Sequence, residues 1–545
     1  MRKRWLVSVL VGLGAIGAGA TAASSSHGKS GGTFRLGTSS RIDSLNPYVA
    51  FNQDAISAFE YIYPLLVQYD QKNQNFAPDF ARSWKTSKDG KTWTFTTVAN
   101  AKWSDGQPLT AADAAWTINT DIKYKATGAA NAAGLIAHIV NASAPNRTTL
   151  VVKYSAAAGN VLGQFQQFPL LPKHIWSKYT GHKGALLKTF PNPAPIVGAG
   201  PFTLVKFTKD QIALFKRNDS FYGPKPQVDG FGLQMFSNAD ALVAALKANN
   251  IDAIEDVPAT AMKTLQKAGF AVDRVPGVEQ TDFIFNANTK KKNNRELLNV
   301  KLREAFDHAI NRARIASVVF LGTAKPAGSI IPASTGAWAN PAVKAAQFNL
   351  AKANSLLDSL GYKRGSGGIR TAGGHKMAYT VITPTDLPSV NRSFQIIQSD
   401  FQKIGVQLTQ RALDSSAAFD AISGPNSKYL NFDLAMWDWV ALIDPDFMLS
   451  VVTCDQYGGW SDSGFCNKQY DAMYTQQQLT PDQAKRRAIV WKMQTYLAKQ
   501  RPYLWLAALD HVSAHSSKWA GIVNSPQGPF NSLSKLSLTS VHQAG

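Results

Sequence analysis

Alternation of apolar and polar positions carries the first signal in this chain. Side chains two residues apart share one face of a strand, so period-two runs mark strands. Such runs are TFRLGT (33–38), TWTFTTV (92–98), TTLVVKY (148–154), PFTLVKF (201–207) and IALFKR (212–217). FGLQMF (231–236), TDFIFNAN (281–288), MAYTVIT (377–383) and FDLAMWDW (432–439) continue the series. Elsewhere the period lengthens to that of a helix: Leu302, Phe306 and Ile310 form a one-sided apolar stripe. Thr110-x-x-Asp113 reads as a capping box opening a helix through Asn119, and Thr480-Pro-Asp-Gln483 as a second with proline at the first helical position. Gly361 and Gly405 stand where a left-handed residue stops the helices LAKANSLLDSL and FQIIQSDFQKI. FQIIQSDFQKIGVQLTQ is then a helix–stop–strand unit, as is 238–254, and repeated units of this kind predict an α/β protein. Pro/Gly-dense stretches at 190–202 and 363–376 predict a hinge and a surface excursion.

With 545 residues, 45% of them hydrophobic, the chain is long enough for roughly two to four domains. Residues 1–23 read as a signal peptide: Arg2, Lys3 and Arg4 precede an apolar run from Trp5 to Ala20 that ends in small residues. A Ser/Gly linker fills 24–32. The apolar run is short and glycine-rich for a bilayer span, which favours export over an uncleaved anchor helix. Removing the three leader cations takes the net charge from +21 to +18, still strongly basic. Lysine and arginine are spread along the whole length, with Lys290, Lys291, Lys292 and Arg295 the densest knot. That spread predicts no nucleic-acid partner and fits a surface facing anionic lipid or wall polymer. Cys454 and Cys466 are the only cysteines, and their spacing in an exported chain points to a local disulfide rather than a metal site. No cysteine follows the leader's apolar run, so a lipid anchor is not expected.

Motifs for chemistry are sparse. Gly90-Lys-Thr92 lacks the upstream glycine of a phosphate loop, since Lys85 stands there, and no HExxH, G-x-S-x-G or strand-borne G-x-G-x-x-G occurs. No metal and no cofactor is predicted. His174 and His182 are the nearest approach to a spaced histidine pair. The segment MWDWVALIDPDF (436–447) stands out, with two tryptophans and three carboxylates in what otherwise reads as a buried strand. Asp438 and Asp444 could serve as acid and base, the indoles as a ligand platform, or the whole as core. Trp437, Trp439, Tyr457 and Trp460 are interleaved with acids over 24 residues, a composition that suits the wall of a binding cleft. By strand parity Trp437 and Trp439 share a face and Asp438 points the other way.

Several stretches in order resemble the large extracytoplasmic solute-binding proteins of ABC importers, family 5, which includes oligopeptide-, dipeptide- and nickel-binding proteins. They are DSLNP (43–47), YIYPLLVQY (61–69), PDFARSW (78–84), DGKTWTF (89–95) and KWSDGQPLTAAD (102–113). GAGPF (198–202), RNDSFY (217–222), NVKLREAF (299–306) and the stretch from Ala351 to Tyr362 carry the likeness onward. The resemblance implies a bilobed, periplasmic-binding-protein-like α/β fold of class II, with a hinge and an inserted domain. Lobe I would comprise 33–66, 196–282 and 501–545, the extra domain 67–195 and lobe II 283–500. It also implies a non-enzymatic monomer that traps a peptide or other small solute and presents it to membrane permease subunits, with an ATPase acting indirectly. The expected location is the periplasm or the outer face of the cytoplasmic membrane.

On this likeness Trp437, Asp438, Trp439 and Asp444 line the cleft from lobe II, faced by Phe51, Asn52 and Gln53 from lobe I. The Cys454–Cys466 staple is expected to hold Tyr457 and Trp460 at the cleft mouth. The position where peptide binders carry an acid for the ligand's α-amino group is Ala441 here. Losing one side of such a buried charge pair costs about 2–5 kcal/mol. A charge-poor aromatic cleft then keeps an oligosaccharide as the alternative ligand, beside an exported hydrolase or a surface adhesin or chaperone as alternative classes.

Overall fold

Two long strands organise the molecule. In the computed structural model, which describes residues 31–545 except 51, 71–74, 130–131, 133–135, 137, 386 and 531–535, Ala271–Phe285 pairs antiparallel with Tyr503–His515. The signal peptide and most of the linker lie outside the described residues. At about 3.3 Å per residue a strand of this length reaches roughly 50 Å, enough to pass through two cores. Ala271–Pro276 lies opposite His515–Asp510 and Gln280–Ile284 opposite Ala508–Tyr503, with the register broken between Pro276 and Gln280. Pro276 supplies no N–H to the ladder. A Cβ on Gly277 would sit 2.8 Å from the Leu509 carbonyl oxygen, so only glycine lets the strands run this close through the break. Sequence alternation placed this strand at 281–288; it begins ten residues earlier, because Asp273, Arg274 and Glu279 interrupt the apolar period.

The crossing pair sits in the middle of an eleven-stranded sheet. On the lobe I side follow Ala253–Ile254, Thr33–Thr38, Gly230–Met235, Ile212–Arg217 and Phe202–Thr208. Thr33–Thr38 is parallel to both its neighbours, and helix Ala239–Lys247 makes the crossover between them. On the lobe II side follow Leu434–Val440, Ala378–Pro384 and Gln407–Leu413, the last two parallel and joined by helix Pro388–Lys403. This helix and Leu350–Ser359 stop where Gly405 and Gly361 turn left-handed, at φ +77° and +78°, as the sequence pattern predicts. A separate four-stranded antiparallel sheet, Ala81–Thr86 to Thr149–Tyr154, packs with the capping-box helix Ala111–Tyr124. The second predicted box is displaced: Asp482, not Thr480, caps helix Gln483–Gln500 by accepting from the Lys485 N–H.

Buried side chains follow this plan. One cluster runs from the lobe I sheet (Phe34, Phe231) into the four-stranded domain (Phe95, Trp103, Trp176). In lobe II the alternation along Leu434–Val440 divides two cores, with Leu434 and Met436 on one face and Ala435 on the other. The stretch 190–202 is tied to its neighbours: the Gly200 N–H donates to Ile62 O (2.8 Å) and the Gly198 carbonyl accepts from the Ser104 N–H (2.8 Å). The excursion at 363–376 carries a small hairpin, Thr371–Ala372 with His375–Lys376. Among the described residues no helix is long and apolar enough to cross a membrane. Cys454 and Cys466 are bonded. Closing so short a loop restricts the unfolded chain by about 2–3 kcal/mol. Replacing both cysteines by serine is therefore expected to lower the unfolding free energy in urea by about that amount, and an unchanged midpoint would refute it.

Candidate functional site

The register break opens the sheet into a cavity of about 620 Å³ between the lobes. That size suits a small-molecule or peptide site. Gly277, Val278 and Glu279 of one crossing strand and Leu509–Val512 of the other form its floor. Lobe I contributes Asp54 and Glu60 from helix Gln53–Ile62, and Glu255 and Asp256, which directly follow strand Ala253–Ile254. Lobe II contributes Phe320, Leu321, Ser389, Arg392, Val440 and Leu442. Glu255 and Asp256 thus stand just beyond the carboxyl end of a parallel strand, where open α/β sheets hold their ligands.

In a protein of net charge +21 this lining is acidic. Burial pushes Glu279 up to about 8, reinforced by Asp438 and Asp256. Burial also raises Asp54 to about 6; a hydrogen bond with Thr38 opposes this and Asp256 adds to it. His511 Nδ1 lies 3.6 Å from Asp256 Oδ1, yet burial holds the imidazole below its ordinary range. Asp510 is committed to Arg274 across the two long strands. Arg392, exposed near the start of helix Pro388–Lys403, is the one lysine or arginine in the described lining.

The residues singled out from sequence fall differently. Phe51 lies outside the described residues. Asn52 precedes helix Gln53–Ile62, its amide donating to Arg41 O (3.2 Å), and Gln53 is the helix's first residue. Trp437 and Trp439 pack on the same face of their strand against the second lobe II core, as parity predicts. Trp439 Nε1 donates to the buried Asp462 (3.0 Å), and its ring meets Phe447 and Trp460 edge-on. Asp438 pairs in register with Thr281 and lies near enough to Glu279 to raise it. Tyr457 leans on Tyr429 and donates to Gly464 O inside the disulfide loop, where Trp460 stays 56% exposed. His174 pairs with Asp105 (2.7 Å) rather than with His182.

Asp444 is buried, and both its oxygens accept from Arg486 at 2.6 Å. Arg486 also donates to Gln477 (2.9 Å) and lies over the Trp338 ring. A Cβ on Gly163 would approach the Asp444 Cβ to 2.7 Å, so glycine there lets the inserted domain close on this pair. The tryptophans and Asp444 therefore surround a packed region beside the cavity, while Val440 and Leu442 of the same segment line it. The Ala441 N–H donates to Val278 O (3.1 Å) and its carbonyl accepts from Gln527 (3.0 Å). Ala441 brings no acid, but Asp54, Glu255, Asp256 and Glu279, which sequence reasoning missed, line the cavity. The available signal was positional: Glu255-Asp256 ends the predicted unit at 238–254, the carboxyl end of a strand.

Two lobes joined by strands that bend over a ligand-sized acidic cleft define a solute-binding receptor. The chain belongs to the bacterial extracellular solute-binding proteins, family 5, whose middle-region profile matches residues 75–459. A Brucella ovis protein provisionally named an ABC transporter peptide-binding protein is 29% identical over 419 residues, 76% of this chain and 75% of the relative. The ABC transporter substrate-binding protein CtaP of Listeria monocytogenes superposes with a TM-score of 0.81 at 21% identity, covering 95% of this chain and 100% of CtaP. The oligopeptide-binding protein AppA of Bacillus subtilis, solved with a nonapeptide, gives 0.76 at 20% identity, covering 95% of this chain and 100% of AppA.

Removing one partner of a buried ion pair strands the other charge, at about 3–5 kcal/mol. Asp444→Ala is expected to lower the unfolding free energy by that much in urea titrations. A cost under about 1 kcal/mol would show that Asp444 is not the structural partner of Arg486.

Proposed function

We propose that this protein captures a peptide or peptide-sized zwitterion in the interlobe cleft and delivers it to a membrane permease of an ABC importer. The carrying observation is the charge layout of the cleft, with Glu279, Asp256, Glu255 and Asp54 at the hinge and lobe I, and Arg392 on lobe II. An ammonium group meets the acids, and a carboxylate meets the guanidinium. A neutral oligosaccharide has no use for this polarity, and the two strand-borne tryptophans that favoured a sugar pack beside the cavity rather than in it. The name of the Brucella ovis relative supports a peptide. In this reading closure is a rotation about the break at Pro276–Gln280, the ligand leaves chemically unchanged, and the protein acts as an exported monomer in the periplasm or at the outer face of the membrane. Trp460 and Tyr457, on the stapled loop, belong to the outer rim of lobe II.

The pH dependence follows from the raised carboxyls. Without ligand, Glu279 binds its proton more tightly folded than unfolded, so its contribution to stability is full below about 4.5 and is lost as pH rises through about 8. A cationic ligand reverses the preference, because it binds the ionised form. The affinity for trialanine is expected to rise at least about tenfold from pH 5 to 7.5, with proton release on binding seen by calorimetry in buffers of different ionisation enthalpy. Glu279→Gln should weaken trialanine at pH 7.5 by about 2 kcal/mol or more and flatten this rise. A flat or falling profile in the native protein rules out an acid-held ammonium. Arg392→Ala should weaken trialanine roughly three- to tenfold while leaving its carboxyl-terminal amide nearly unaffected, because an exposed ion pair is worth about 1 kcal/mol. Equal losses for the two peptides would remove Arg392 from the site.

A further inference from the structure

A second cavity, of about 170 Å³, opens beside the cleft between helix Gln53–Ile62 and the inserted domain. Tyr48, Ile56, Phe59, Phe168 and Leu171 supply apolar surface to it, and all but Ile56 are almost wholly buried. Asp121 also lines it, with one carboxyl oxygen accepting from the Tyr48 hydroxyl at 2.7 Å. Burial raises this carboxyl to about 8, so near neutral pH it adds little charge to the wall. The cavity shares Ile56, Glu60 and Gln167 with the cleft, so the two spaces adjoin at these three side chains, one of them a carboxyl.

A dry apolar cavity of roughly 150 Å³ takes up benzene. The space here is of that order, is walled by rings and branched chains, and adjoins the acidic cleft. The geometry points to a selectivity pocket: we infer that it receives one aromatic or branched apolar side chain of the solute whose cationic group the acids of the cleft hold. This deepens the proposed function and rests on it. Because Glu60 stands at the shared mouth, the cation and the apolar group of the preferred solute are separated by only a few bonds.

The minimal probe is 2-phenylethylammonium, compared with ethylammonium by calorimetry on the full chain, beside trialanine and tripeptides carrying one Phe or Leu at each position in turn. The aryl amine is expected to bind at least about tenfold more tightly than the alkyl amine, and one tripeptide position to show the same preference. Ile56→Trp, which plugs the mouth, should bring both ratios to about one. Gln167→Trp, from the half-buried opposite wall, does the same and serves where Ile56→Trp lowers the melting temperature. Equal affinity for the two amines, or a ratio that survives both plugs, overturns the inference. If no tripeptide binds while the aryl preference is present and lost on plugging, the pocket stands and the peptide reading falls.

Discussion

The antiparallel pairing of Ala271–Phe285 with Tyr503–His515 is the constraint on which the rest depends. Both strands belong to both lobes, so the lobes cannot separate without breaking the longest ladder in the sheet. That ladder is interrupted between Pro276 and Gln280. The interruption has a chemical origin in a residue without an N–H and a glycine without a side chain. It also positions Glu279, which leaves the ladder at the bend and faces the cavity. The break and the cavity-lining Glu279 thus fall within one stretch of the strand, Pro276–Gln280.

The electrostatics of the cleft run against those of the whole molecule. A surplus of 21 positive charges is spread over the chain, while the interlobe lining gathers six carboxyls, one of them neutralised by Arg274. Burial makes two of them, Asp54 and Glu279, expensive to ionise. The basic exterior sets the long-range field, but within a few ångströms the local carboxyls prevail.

A second network ties the inserted domain to lobe II. Asp444 and Arg486 form its centre, and it reaches the inserted domain through the Gly159 carbonyl (3.3 Å from Arg486) and through Asn160, whose amide donates to Asp446 (3.0 Å). Buried charge pairs of this kind hold geometry more than they add stability. Here the pair fixes the turn after Val440, and so the placement of Leu442 on the cavity wall.

Much of the secondary structure was legible from local pattern. TFRLGT and IALFKR match their strands residue for residue, and the Thr110–Asp113 box and the glycine stops stand where the rules place them, because each depends on groups within a few residues. The long crossing strand was half hidden, since a strand that passes from core to cleft to core loses its alternation where it faces the cleft. The tryptophans of MWDWVALIDPDF looked like a ligand wall, and parity placed them correctly on one face, but only packing shows that this face meets core. Asp444 looked like a catalytic or binding acid until its partner, 42 residues away, could be seen. The sequence by itself determined the α/β class, the family likeness, the disulfide and the absence of an acid at Ala441. The tertiary structure alone decided where the acids are, because Asp54, Asp256, Glu279 and His511 converge from four segments, and burial there raises the Asp54 and Glu279 carboxyls and lowers the His511 imidazole.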